Sequence, residues 1–186
     1  MAAVDPQIAP GSLVLVSGPS RSGKSRWAEA LLKHDRHVTY VATSAGRPED
    51  PDWQKRLDKH RRRRPRHWNV LEAQEDLAAT LASIDARQSV LIDALGGFVA
   101  WNLALAESDW LNRSEALLQQ LNQMRQTRIM VIEETGWGVV PATRIGGLFR
   151  DRLGELAQAL QQHADSSWLV LQGRAIDLRA MSHPVP

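Results

Sequence analysis

The run Gly18, Pro19, Ser20, Arg21, Ser22, Gly23, Lys24, Ser25 fits the pattern G-x-x-x-x-G-K-[ST] without a gap. Glycines at its two ends let a backbone curl around an anion with its amide N–H groups pointing inward as a nest. Lys24 is placed to reach β- and γ-phosphates, and the Ser25 hydroxyl to ligate Mg²⁺. A plain glycine-containing turn is the bland alternative. The apolar strand before the run and the helix after it are the context that favours a nucleoside triphosphate site.

A second constellation occupies residues 52–68. Trp53, Leu57, His60 and Arg64 fall at helical spacing, and Pro65 ends that helix. Arg61, Arg62, Arg63 and Arg64 follow the histidine, with Lys55, Arg56, Lys59 and Arg66 close by. Positive neighbours disfavour imidazolium, which lowers a histidine's pKa and frees a nitrogen lone pair at neutral pH. A neutral imidazole beside guanidinium groups that hold phosphate oxygens is what attack on phosphorus needs. The bland alternatives are a packed or surface histidine and a solvated cationic face.

Three acidic residues end apolar runs. Asp93 closes residues 90–93, the usual setting for a carboxylate that holds Mg²⁺, an ion that takes few protein ligands and keeps several waters. Capping of the next helix is the alternative role for Asp93. Glu133 and Glu134 end another run, and of two adjacent side chains at most one faces a cleft.

The elements that must hold these residues alternate. Apolar runs at 12–17, 37–42, 89–93, 128–132 and 167–171 read as strands, with a shorter one at 68–71. Helical patterns fill 25–34, 52–64, 74–84, 97–124 and 145–163. Continuous apolar strands between helices predict an α/β fold, a mostly parallel sheet with helices on both faces. In such a sheet, ligands bind beyond the carboxyl ends of the strands. That rule selects the loops at 18–25, 43–45, 93–97 and 133–138.

At 186 residues the chain is expected to be one domain, 1–186, with 1–11 and 178–186 loosely ordered. There is no apolar run of membrane-spanning length and no charged start with an apolar core behind it, so a cytoplasmic location is expected. Zero cysteines exclude disulfides and thiolate chemistry. A net charge of +2 with the basic residues gathered in one segment argues for a small anionic ligand over a nucleic-acid-coating surface. Of the seven tryptophans, Trp137 falls in a loop beyond a strand end.

From Leu13 to about Gly173 the chain resembles the bifunctional adenosylcobinamide kinase / adenosylcobinamide-phosphate guanylyltransferase family. The residues that carry this are the loop with Arg21 and Ser22 in place, then Tyr40-Val41-Ala42-Thr43-Ser44 and His60-x-x-x-Arg64-Pro65-x-His67-Trp68. Glu72, Gly136-x-Gly138-Val139-Val140-Pro141, Phe149-Arg150-Asp151 and Trp168-Leu169-Val170 follow. The histidine segment is far more specific than the phosphate loop. The chain departs from the family pattern at Lys59, Arg61, Arg62, Arg63, Asp93 and Glu133.

The resemblance implies a RecA-like P-loop fold and an enzyme of cobalamin biosynthesis. A nucleoside triphosphate phosphorylates adenosylcobinamide; GTP then donates GMP through a GMP–histidine intermediate to give adenosyl-GDP-cobinamide. His60 matches the nucleophile, with Lys24 as the other catalytic residue. Nucleotide contacts map onto the eight residues from Gly18 to Ser25, Thr43, Ser44, Ala45, Arg61, Arg62, Arg63, Arg64, Glu72 and Asp93. The metal is Mg²⁺, held by Ser25 and Asp93. GTP and ATP are the nucleotide substrates, a corrinoid the acceptor and a trimer the expected homo-oligomer, with no nucleic acid and no membrane. Two alternatives stand beside it: a P-loop kinase of another small alcohol, and a RecA-like nucleotide-dependent nucleic-acid-binding module.

Overall fold

The expected strands assemble, in a computed structural model that describes residues 8–46 and 49–185, into one seven-stranded sheet of order β3-β2-β4-β5-β1-β6-β7. Six strands run parallel: β1 (Leu13–Gly18), β2 (Val38–Ala42), β3 (Asn69–Glu72), β4 (Ser89–Asp93), β5 (Arg128–Glu133) and β6 (Ser166–Leu171). The seventh, β7 (Arg174–Asp177), is an antiparallel edge strand that the sequence reading did not contain.

Alternation along the strands divides the core into two layers. Leu13, Leu15, Val90, Ile92, Met130 and Ile132 face one side, under α3 (Leu77–Ala82), α4 (Leu95–Trp101), α5 (Glu107–Gln123) and α6 (Arg144–His163). Val14, Val16, Leu91, Ile129 and Val131 face the other, under α1 (Lys24–Leu31). Burial on both faces is why these strands read as unbroken apolar runs. The helix α2 (Pro51–Arg63) contributes no residue to either layer among its described side chains, and the side chains of Trp53 and Arg56 lie outside the described set.

The helical region expected over 97–124 is two helices. The break between α4 and α5 is held by Arg152 of α6, whose buried guanidinium donates to the carbonyls of Asn102, Leu103 and Leu105 at 3.1, 3.3 and 2.9 Å. Carbonyls at a helix end need such partners, and a side chain from another helix supplies them here.

At the termini, residues 1–7 and 186 of the expected loose segments lie outside the described residues. Gly11 N donates to Thr127 Oγ1 at 3.1 Å. In the expected loose tail, residues Leu178–Met181 form a short helix, α7, whose N-terminus is capped by Asp177. Among the described residues no helix is long and apolar enough to cross a membrane.

Candidate active site

All of the chemistry-bearing loops gather at the carboxyl end of the parallel strands, as the sheet rule requires. The phosphate loop turns between β1 and α1, where Ser22 N donates to Pro19 O at 3.2 Å. Gly23 has φ 106 at the N-cap of α1, a conformation that favours glycine. A Cβ on Gly18 would stand 2.4 Å from the carbonyl oxygen of Val170, so β6 leaves no room for one. The β6–β7 turn then braces the loop from outside, with Gly173 N donating to Ser22 O at 2.9 Å. Lys24 is only 6% exposed, and its Nζ donates to Pro19 O at 3.3 Å, inside the curl of the loop. The N-terminus of α1 points the same way and adds its partial positive charge.

Asp93, at the end of β4, joins three groups. Its Oδ1 accepts from Ser25 Oγ at 3.2 Å, and its Oδ2 accepts from Tyr40 OH at 3.0 Å. His60 Nδ1 lies 3.8 Å from the same Oδ2, within ion-pair range. Burial, with the Asp93 carboxylate beside it, pushes the Tyr40 phenol far above its usual pKa, so Tyr40 stays a donor. Among the described residues no three His, Asp or Glu side chains form a ready metal cage. The Ser25–Asp93 pair is a set of hard oxygens, and it fits Mg²⁺ of the kind that draws its remaining ligands from phosphate and water.

The arginine-rich helix α2 is tied down by its last residue, Arg63, and by Arg64 just beyond it. Arg63 grips Glu29 of α1 through Nε on Oε2 and through Nη2 on Oε1, the second at 2.6 Å. That pairing raises the Arg63 pKa and balances Glu29, which is 8% exposed. Arg63 Nη2 also lies 3.5 Å from His60 Nδ1. Arg64 stacks its guanidinium 4.1 Å from the centroid of the Tyr40 ring, a cation–π contact. His60 is thereby held over a cleft of about 690 Å³, whose lining also includes Lys24, Ser25, Arg26, Lys59 and Arg63.

The remaining sequence-derived residues divide into supports and exposed positions. Thr43 is buried, accepts from Ala94 N at 3.0 Å, donates to Ala94 O, and locks the end of β2 to that of β4. Ser44 and Ala45 follow it on the surface, and Glu72 is exposed at the end of β3, in register with Ala42. Arg61 and Arg62 lie on the exposed face of α2, with Arg61 3.8 Å from Asp58. Glu133 turns inward and accepts from Gly96 N at 2.9 Å, while Glu134 donates its backbone N–H to Gly18 O at 3.0 Å. Burial pushes the Glu133 carboxyl above its ordinary range, the Gly96 amide opposing it and the Asp93 charge adding to it.

Sequence reasoning missed Glu29 and gave Tyr40 no role of its own. Both positions carry residue types that are unremarkable where they stand. Only the crossing of α2 over α1 and β2 gives them work.

The sequence model of the cobinamide kinase / cobinamide phosphate guanyltransferase family matches residues 14–178. The chain is 30% identical to the bifunctional adenosylcobalamin biosynthesis protein CobU of Escherichia coli (strain K12), over 90% of this chain and 99% of that protein. It is 32% identical to the protein of the same name from Salmonella typhimurium, with the same coverage. The bifunctional adenosylcobalamin biosynthesis protein CobP of Pseudomonas aeruginosa is 36% identical, over 89% of this chain and 96% of its own length.

Proposed function

The chain belongs to the cobinamide kinase / cobinamide phosphate guanyltransferase family, and from that premise we propose that one cleft performs both reactions, with His60 as the guanylyl carrier. The observation that carries this is the place of His60. It stands in the same cleft as the phosphate loop, 3.8 Å from the carboxylate that also holds Ser25.

In the first reaction the aminopropanol hydroxyl of adenosylcobinamide attacks the γ-phosphorus of a nucleoside triphosphate, and the diphosphate leaves. Lys24 and the loop amides hold the phosphate oxygens in line. Mg²⁺, when bound through Ser25 and Asp93, would offset charge on the β- and γ-phosphates.

In the second reaction His60 attacks the α-phosphorus of GTP. A P–N bond forms, the α–β bridging bond breaks, and pyrophosphate leaves with the electron pair. An oxygen of cobinamide phosphate then attacks the same phosphorus. The P–N bond breaks, the imidazole is regenerated, and adenosyl-GDP-cobinamide is released. In the tautomer protonated at Nδ1, on the Asp93 side of the ring, Nε2 would carry the lone pair for the attack. Splitting one hard transfer into two is the gain of covalent catalysis. Arg63 and Lys59, which line the cleft, would offset charge on the transferring group.

The corrin ring needs an apolar surface near the acceptor site. Trp137, Val139 and Val140 supply one in the loop after β5, where Val139 is 96% exposed. The two alternative readings have no support in the family match, which spans residues 14–178. Incubation with Mg²⁺ and α-labelled GTP, followed by denaturation, tests the carrier role. Acid-labile, alkali-stable label is expected on wild type and absent from His60→Ala. Equal label on both proteins would overturn it.

A further inference from the structure

A second cleft flanks the phosphate loop on the side away from His60. It measures about 240 Å³ and is walled by Trp27, Ala30, Val170 and Ala175, with Gly173 at its rim. Gly23 and Arg26 border both clefts, so the loop is the partition between them. Arg26 Nη2 lies 3.4 Å from where a Gly23 Cβ would stand and 3.9 Å from the same point on Gly173, which sets a planar cation over the opening.

The two reactions cut different bonds of a nucleoside triphosphate, yet one loop must hold the phosphates in both. Ser25 and Asp93 mark the end where β- and γ-phosphates belong. His60 stands at that same end, through Asp93. A donor that loses its γ-phosphate there must send its α-phosphate and nucleoside the other way, past Gly23 and Arg26. A GTP whose α-phosphorus meets His60 must lie in the reverse direction, with its base beyond α2.

We infer that the Trp27–Ala30–Val170–Ala175 cleft seats the purine base of the phosphoryl donor, and that the loop accepts triphosphates in two opposed directions. This inference rests on the bifunctional reading. The chemistry of the cleft suits the occupant. Its walls are apolar, its volume falls below the ~300–1,000 Å³ of sites that enclose whole ligands, and a guanidinium at its mouth can stack on a flat ring. The lining of the polar cleft on the other side includes six Lys or Arg side chains against two carboxylates, Asp50 and Asp52, a cationic balance that suits pyrophosphate.

Ala30→Trp fills the cleft from an exposed position on α1 without altering the loop. The KM for ATP in cobinamide phosphorylation is expected to rise by about tenfold or more, the loss of one stacked base. Labelling of His60 by α-labelled GTP is expected to stay within about twofold of wild type, since a change that small is near thermal energy. Equal losses in both reactions, no loss in either, or loss of labelling alone would overturn the inference. Photolabelling of wild type with 8-azido-ATP gives an independent reading that does not depend on a folded variant. Label is expected on the peptides carrying Trp27 or Ala175, and label confined to the ends of β2 and β3 would overturn the seat. Absence of GTP label on wild type would instead overturn the bifunctional reading itself.

Discussion

His60 Nδ1 lies 3.8 Å from Asp93 Oδ2, while Asp93 Oδ1 accepts from Ser25 Oγ at 3.2 Å. One carboxylate therefore faces the imidazole and the phosphate loop at once. Under the proposed function a group so placed would serve both reactions, orienting His60 in one and the phosphate-bound metal in the other.

Asp93→Asn retains the size of the side chain and removes its charge. Phosphorylation of cobinamide and labelling of His60 are both expected to fall by roughly 10²-fold. Tyr40→Phe removes one hydrogen bond to Asp93 and leaves the charge, so both rates should fall by less than about tenfold. Parallel initial-rate measurements decide it. A loss confined to one reaction would show that Asp93 does not serve both.

Glu29 is one of the two anchors of α2, beside the Arg64–Tyr40 contact. Glu29→Gln breaks the two-pronged pairing with Arg63, whose side chain is 35% exposed, so the cost to stability is about 1–2 kcal/mol by urea unfolding. His60 sits on the same helix turn as Arg63, and labelling by GTP is expected to fall by about tenfold while phosphorylation falls less. Equal losses in the two assays would mean that the pairing does not position His60.

The phosphate loop, the strand ends and the clustering of His60 with the arginines were legible because each is a local run. The sheet followed from the same source, since strands buried on both faces leave unbroken apolar stretches. The break between α4 and α5 left no such trace. Residues 102–106 contain neither glycine nor proline, and the interruption comes from Arg152, far away in sequence. Gly96 and Gly97 look like poor helix residues, yet α4 runs through them. A Cβ on Gly97 would meet Thr43 Oγ1 at 2.3 Å, so the close approach of β2 sets that residue. The edge strand β7 is four residues long and partly exposed. Its one local signal is the turn at Gln172 and Gly173, whose φ values of 48 and 77 suit a two-residue hairpin.

Glu133 is expected to give the protein a pH-dependent stability. Burial holds its folded-state pKa above the ordinary 4.5, so the fold binds that proton more tightly than the unfolded chain does. The contribution is complete below the unfolded value and is lost as pH rises through the raised one. Glu133→Gln keeps an acceptor for Gly96 N and removes the titration. In urea midpoints taken from pH 4.5 upward, wild type is expected to decline relative to the variant. Profiles that stay parallel would show that Glu133 does not titrate with folding.

Among the described strands β1 comes first along the chain, and its two neighbours in the sheet, β5 and β6, come late. Leu13 pairs with Arg128 of β5, Val14 with Ser166 of β6, and the loop's outer brace comes from Gly173. Translation proceeds from the N-terminus, and pairings this distant along the chain form slowly. The nascent polypeptide thus carries the apolar strand β1 without either sheet neighbour until residues 128–133 have been made. A chain ended early by a stalled ribosome would display the phosphate signature and have no loop able to grip phosphate.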